Sequence, residues 1–379
     1  MADSPFLIVG GGIAGLGVAL GLARIGKPSY VLEKASHFEE VGAGLQLGPN
    51  AVRALQYLGA WDAIAPHCVA PAEIHVRDGV SGNILQRLPL GAEFEKQFGA
   101  PYRVAHRADL HNALLESVRS KHGIKLQGNA EVTDASVTET TLSLKSGETH
   151  TGLAIIAADG VHSTIRNLVT EQSDKKQINH TLHRGLVPIG AIPASANADV
   201  VTLWLYPGGH VVHYAVSDGK HFNIVAAVED SEISLSTAFQ HACKSLADTL
   251  ASKIKWTKWP AVDLTPAPIW NKNRTVLIGD AAHASLPHLA QGAAMALEDA
   301  CVLSNAVQNA NDLESAFRNF SETRFKRTAS IQKKSRQLGR IYHAGGVLRH
   351  ARNAVLKTTP SKRFINQLSW IYDWKIAGK

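Results

Sequence analysis

The chain has 379 residues, 45% of them hydrophobic and 19% charged, with a formal net charge of +7. That length supports a core shared by two domains, and the composition excludes a disordered or low-complexity chain. No apolar run reaches the ~18 residues of a membrane span. The opening apolar run lacks the form of a signal peptide, so the cytoplasm is the expected location. Cys68, Cys243 and Cys301 form no CxxC pair, so neither a disulfide framework nor a metal site is expected.

Phe6-Leu7-Ile8-Val9 reads as a buried strand, Gly10 to Gly26 as a loop and helix, and Ser29 to Glu33 as a second strand. Gly10-x-Gly12-x-x-Gly15 opens the helix of this βαβ unit, and acidic Glu33 ends its second strand. The glycines allow a tight turn and close approach of backbone to a pyrophosphate. The helix start offers free N–H groups, and Glu33 can accept from ribose hydroxyls. By itself this loop leaves open whether the dinucleotide is resident FAD or passing NAD(P).

A short amphipathic helix over 50–58 stops at Gly59. A second helix over 108–121 carries Leu110, Leu114, Leu115 and Val118 at helical spacing. The stretch 153–160 reads as an apolar strand ending in a turn, and 274–283 repeats that pattern. Both are expected in one parallel sheet, which makes the nucleotide domain discontinuous. Between them, 199–229 reads as three antiparallel strands separated by Pro-Gly-Gly and Ser-Asp-Gly-Lys turns.

Asp280 ends the later strand beside Gly279, and a helix starting at Gln291-Gly292-Ala293 runs to about 308. The aspartate suits a polyol such as a ribityl chain. The helix start suits an anion such as the N1–C2=O edge of reduced flavin. A nicotinamide dehydrogenase has no need of this second element, whereas a flavin is long and must be held at both ends. A long helix over 313–338 follows, broken at Gly345-Gly346. From Thr323 to Lys379 there are 14 Lys and Arg against one acid, Asp373, while the preceding 322 residues hold 25 basic and 31 acidic side chains. The simplest reading is a solvated helix face packed on an acidic body. No nucleic-acid-binding signature is present. Trp370, Tyr372 and Trp374 keep a membrane-surface contact as a second reading, though covering the body or a dimer contact is simpler.

Taken together, GxGxxG with Glu33, "AADGVHSTIR" (157–166) and "VLIGDAAHASLPHLAQGAAMALEDA" (276–300) resemble the single-component FAD-dependent aromatic hydroxylases. "EEVGAGLQLGPNAVRALQYLG" (39–59) and "PYRVAHRADLHNALL" (101–115) are similar to the branch of 3-hydroxybenzoate 6-hydroxylase and salicylate hydroxylase. The resemblance extends from about 6 to 343. It implies an α/β fold, with a Rossmann-like FAD domain of the glutathione-reductase type interleaved with an antiparallel-sheet substrate domain and followed by C-terminal helices. The expected divisions are 1–75, 100–175 and 265–343 for FAD, 76–99 and 176–264 for substrate, and 344–379 as a helical segment. The resemblance further implies hydroxylation of a small phenolic acid by O2 and NADH or NADPH through a flavin C4a-hydroperoxide, in a monomer or homodimer. The alternatives are a 6-hydroxynicotinate-type heterocycle, or a FAD-dependent reductase or quinone-modifying enzyme at a membrane surface.

Carried over by motif, Gly10, Gly12, Ala14, Gly15, Glu33 and Lys34 would hold the adenosine end of FAD. Gly44, Leu45, Arg107 and Asp159 would hold its middle, and Asp280, Gly292 and Ala293 the flavin end. Arg166 and His283 are expected to be structural. For the substrate, "GGHVVHYAV" (208–216) matches a family strand with an active-site histidine. His213 is expected to take the phenol proton, with Tyr214, Gln291 and Pro287 around it; by strand alternation only one of His213 and Tyr214 faces the ring. The chain departs from the family at Tyr214-Ala215, where relatives carry Tyr-Pro, and at His183-Arg184-Gly185, where they carry Tyr-Arg-Gly. Both departures fall in the substrate domain.

Overall fold

The computed structural model describes residues 4–39, 42–170, 175–230 and 232–376; Glu40 and Val41 of the 39–59 motif lie outside them. Phe6–Val9 is buried along its whole length because it has a parallel neighbour on each side: Ser29–Leu32 and Ala154–Ala157. Thr275–Leu277 adds to the far side of Ala154–Ala157, and Ile124–Gln127 to the far side of Ser29–Leu32, both parallel. A short antiparallel edge, Asn271–Lys272, completes six strands. Strands so enclosed carry Val, Ile, Leu and Ala on both faces, which is why they read as continuous apolar runs. Val9 is in register with both Leu32 and Ala157, and Ala157 with Leu277. The glycine loop, Glu33, Asp159 and Asp280 therefore all follow strand ends at one edge of the sheet, where α/β sheets bind ligands.

Two glycines bring the early and late motifs together. The helix Ile13–Arg24 packs on the helix Gly292–Asn309. A Cβ at Gly17 would stand 3.3 Å from the Ala300 Cβ, and one at Gly21 2.9 Å from the Ala300 carbonyl oxygen. Their spacing of four puts both on one helix face, so the backbones approach closely enough to share a loop region.

The second sheet has seven strands in the order Thr257–Leu264, Lys175–Pro188, His221–Val228, Gly209–Val216, Val200–Tyr206, Glu73–Asp78 and Ile84–Pro89. Its three central strands are those read over 199–229. One pairing departs from the antiparallel expectation: Val200–Tyr206 runs parallel to Glu73–Asp78. A three-stranded meander over Val132–Ser136, Thr141–Leu144 and Thr149–Thr151 was not anticipated from the sequence.

The basic C-terminal segment docks on buried acids. Arg324 donates to Glu298 and Asp299, each at 2.7 Å, with all three side chains buried. Arg327 also reaches Glu298, Arg336 reaches Asp263, and Arg349 holds Asp78. Tyr372 packs edge-on against Phe94, Phe98 and Tyr102. These arginines make specific contacts with buried acids, while Lys326, Lys333, Lys334, Arg340, Lys357, Lys362, Arg363 and Lys375 are exposed, as expected for a solvated face packed on an acidic body.

Candidate active site

One cavity of about 730 Å³ runs from the strand ends of the parallel sheet to the face of the seven-stranded sheet. At its first end lie Gly10, Gly12, Ala14, Glu33 and Lys34. Gly44, Leu45, Arg107 and Asp159 line the middle, followed by Asp280, Pro287, Gly292 and Ala293. Gly10 has φ +103°, and a Cβ there would collide with the Ala158 carbonyl oxygen, so the turn requires glycine. Glu33 accepts the Gly11 N–H at 2.7 Å and the Ala35 N–H at 2.9 Å, which fixes its carboxylate at this first end of the cavity. Gly15 does not line the cavity; a Cβ on it would strike the Gly10 carbonyl, so it serves the helix–loop contact instead.

Asp159 accepts from the Thr164 N–H at 2.9 Å, and its other oxygen is buried without a partner. Arg166 is buried and donates to the carbonyls of Gly160, Val161, Asp280 and Ala281, which ties the two strand-end turns together. His283 is equally structural: its Nε2 lies 2.6 Å from Asp299, whose same oxygen accepts the Gly279 N–H at 2.8 Å. That bond holds Gly279 at φ +59°, the turn that presents Asp280. Burial pushes the Asp299 carboxyl up, but His283 and Arg324 outweigh it and hold it below the usual carboxylate range.

The site fits FAD. The helices Ile13–Arg24 and Gly292–Asn309 both begin at the cavity, and neither N-terminus has a side-chain cap. Their free N–H groups suit a pyrophosphate at one and an electron-rich ring edge at the other. The orphan Asp159 oxygen and the glycine cradle are polar or open positions that a bound dinucleotide would satisfy.

The substrate end requires two corrections. His213, expected as the base, is on the opposite face of its strand: the Trp204 indole N–H donates to its Nε2 at 2.9 Å, and its ring lies tilted against Phe222. Burial, then Arg77, pushes its pKa down to about 3. Alternation along Gly209–Val216 puts His210, Val212 and Tyr214 on the cavity face instead. Gln291 also stands outside the cavity: it is buried, accepting from Asn50 at 2.9 Å and lying over Leu289.

Two residues to which the sequence reading gives no role line this end, His210 and Arg184. Arg184 belongs to the His183-Arg184-Gly185 departure, and its guanidinium lies 5.2 Å from the Trp259 ring, also on the wall. His210 is four residues before Tyr214, a spacing that puts the two on one face of a strand. Burial, then His343, His288 and His180, holds His210 well below the ordinary imidazole range, so it is neutral at pH 7. Burial raises the Tyr214 phenol and keeps it protonated.

A parallel sheet with a glycine-rich first turn, joined through one cavity to an antiparallel sheet, defines a dinucleotide-dependent enzyme with a separate substrate wall. The FAD binding domain family model matches residues 3–311, and the chain belongs to that family. It is 34% identical to 3-hydroxybenzoate 6-hydroxylase of Polaromonas naphthalenivorans (strain CJ2), over 100% of this chain and 98% of the relative. A salicylate hydroxylase solved with substrate is 26% identical with a TM-score of 0.81, over 99% of this chain and 96% of that one. Klebsiella pneumoniae HpxO, solved with FAD and uric acid, shares the fold at a TM-score of 0.86 and 25% identity, over 96% of this chain and 95% of that one. This chain is thus an FAD-dependent hydroxylase.

Proposed function

We propose that this chain hydroxylates a small aromatic acid carrying a ring hydroxyl, of the 3-hydroxybenzoate or salicylate kind, with NADH or NADPH as reductant. The observation that carries this is the placement of Arg184, His210 and Tyr214 on one wall of the cavity whose other end is the dinucleotide cradle. A planar acid set between them gives its carboxylate to Arg184, and a guanidinium fork matches a carboxylate. Its hydroxyl faces neutral His210, which takes the proton as general base and makes the ring electron-rich. Tyr214, held in its protonated form, is a donor for the ring oxygen or carboxylate.

Glu33 would hold the ribose of FAD, the loop 10–14 its pyrophosphate, Asp280 its ribityl chain, and Gly292 and Ala293 its pyrimidine edge. When bound and reduced, FAD supplies the activated oxygen. The residues around it position the ring and exclude water: Leu182, Val212, Val225 and Leu286 provide the apolar part of the wall. Titration of the FAD-loaded protein with 3-hydroxybenzoate, salicylate and 6-hydroxynicotinate tests the reading. Saturable perturbation of the flavin spectrum by at least one acid, requiring about 10- to 100-fold more acid in Arg184→Gln, is expected; a spectrum unmoved by all three refutes it.

A further inference from the structure

The base that faces the ring is only useful if its proton can leave a buried cavity. His210 uses Nδ1 to meet His343 Nε2 at 2.8 Å, which leaves its Nε2 for the cavity side. His343 in turn meets a Glu229 carboxylate oxygen through Nδ1 at 2.7 Å. Their ring planes lie within 25° of each other with centroids 5.1 Å apart, the arrangement of two rings bonded edge to edge. The His343 side chain is 2% exposed, whereas Glu229 is 46% exposed. A continuous line of hydrogen bonds therefore runs from the cavity wall to solvent through two buried imidazoles.

We propose that His210, His343 and Glu229 form the path by which the substrate's phenol proton leaves the site, an inference that rests on the phenolic-acid reading above. The ring hydroxyl gives its proton to His210 Nε2, and His210 Nδ1–H passes a proton to His343 Nε2. His343 Nδ1–H passes one to the Glu229 carboxylate, which releases it to water. One proton enters the line and one leaves it. The same chain run inward protonates the product oxygen and restores both starting tautomers. A neutral imidazole accepts at one nitrogen while donating at the other, which is what each link requires.

The surroundings hold both rings neutral and fixed. His180 and His288 pack against His343, Tyr342 packs against His210 and His288, and Arg352 adds positive charge from the following helix. Burial lowers His343, against the opposing pull of Glu229. The backbone supports the geometry as well: the Gly208 N–H donates to the His343 carbonyl at 3.0 Å, and the Glu229 N–H to the Gly208 carbonyl at 3.0 Å. The turn at 207–209 thus clamps the relay's outer half to the strand that carries His210. His210, His288 and His343 also bring their ring nitrogens together in a group that resembles metal ligands. However, 2.8 Å is a hydrogen-bond separation; two nitrogens on one tetrahedral ion at ~2.0–2.1 Å would stand about 3.3 Å apart.

His343 and Glu229 act through His210, so the test reads the proton itself. FAD-loaded protein is mixed in stopped flow with 3-hydroxybenzoate, salicylate or 6-hydroxynicotinate in weakly buffered solution containing a pH-indicator dye. The ligand's deprotonation band and dye colour are followed together. Wild type is expected to release close to one proton per site. Glu229→Gln and His343→Gln are expected to slow that release at least tenfold with ligand affinity changed less than threefold, and Glu229→Asp to recover most of the rate. Release at the wild-type rate in both Gln variants overturns the relay. A wild-type protein that binds an acid and releases no proton overturns the phenol-deprotonation reading instead. Glu229 is half-exposed, so Glu229→Gln keeps the test independent of the buried His343 replacement.

Discussion

Replacing Arg324 by methionine keeps most of the side chain's length and removes its charge from a site where water does not reach. Arg324 donates to Asp299 and Glu298 at 2.7 Å each and to the Met295 carbonyl at 3.2 Å. Without it, Glu298 keeps Arg327 and Asn50, and Asp299 keeps His283 and the Gly279 N–H, so two buried carboxylates are left half-compensated. Removing one partner of a buried ion pair costs ~3–5 kcal/mol. With an unfolding entropy of about 2.1 cal/mol/K per residue, a chain of 379 residues should lose roughly 4–6 °C of Tm.

The variant should also change the pH dependence of stability. In the wild type both carboxyls are held below their ordinary values, so they contribute stability above about pH 4 that is lost as pH falls through the lower folded values. With Arg324 gone this contribution shrinks, and the gap between variant and wild type should narrow on acidification. Because Asp299 holds Gly279, FAD retention should weaken as well. Thermal unfolding followed by circular dichroism at pH 8 and at steps below pH 4, with flavin fluorescence for release, measures all three. A Tm loss below about 1 °C with FAD retention unchanged would refute the reasoning.

Gly10→Ala places a methyl against the Ala158 carbonyl at φ +103°, so the purified variant should carry little flavin; its ratio of visible to ultraviolet absorbance measures this, and a wild-type ratio contradicts it. Arg184→Gln should weaken binding of aromatic acids about 10- to 100-fold while leaving a neutral phenol little affected, the loss expected for a charged hydrogen bond; spectral titration separates the two. His210→Gln should slow substrate deprotonation by about 10²–10⁴-fold, the range for a general base, whereas His213→Asn should stay within a few-fold because His213 only accepts from Trp204. Since His210 is held below the ordinary imidazole value, the wild-type deprotonation rate should stay level as pH falls past ~6.5 and drop only at lower pH; a midpoint at or above ~6.5 contradicts this.

The cofactor half of this molecule was legible because its chemistry is local. A glycine loop, an acid at the next strand end and a Gly-Asp turn each sit within a few residues, and strand registers then align them. The split parallel sheet could be read from two apolar stretches with the same ending. The substrate half was harder to read because it depends on facing. His210 and His213 lie on one strand, and the apolar residues around them do not say which face is the cavity; only pairing with Val200–Tyr206 and His221–Val228 turns His213 toward Trp204 and Phe222. Arg184 was noted as a departure without a role, since its position in the cavity comes from a strand whose neighbours are far away in sequence. The burial of Glu298 and Asp299 is not legible in the sequence, because their partners, Arg324 and Arg327, are supplied by the next helix. Gln291 stands immediately before the helix start at Gly292 and reads as a substrate contact, but its amide oxygen is taken up by Asn50.

The most direct measurement is NADH consumption by the FAD-loaded protein in air, with and without 3-hydroxybenzoate, salicylate and 6-hydroxynicotinate, with the products separated and weighed by mass spectrometry. At least one acid is expected to accelerate NADH oxidation and to gain one oxygen atom in step with it. NADH oxidation that no aromatic acid stimulates, or that yields only hydrogen peroxide, would contradict the assignment of this chain as a hydroxylase of phenolic acids.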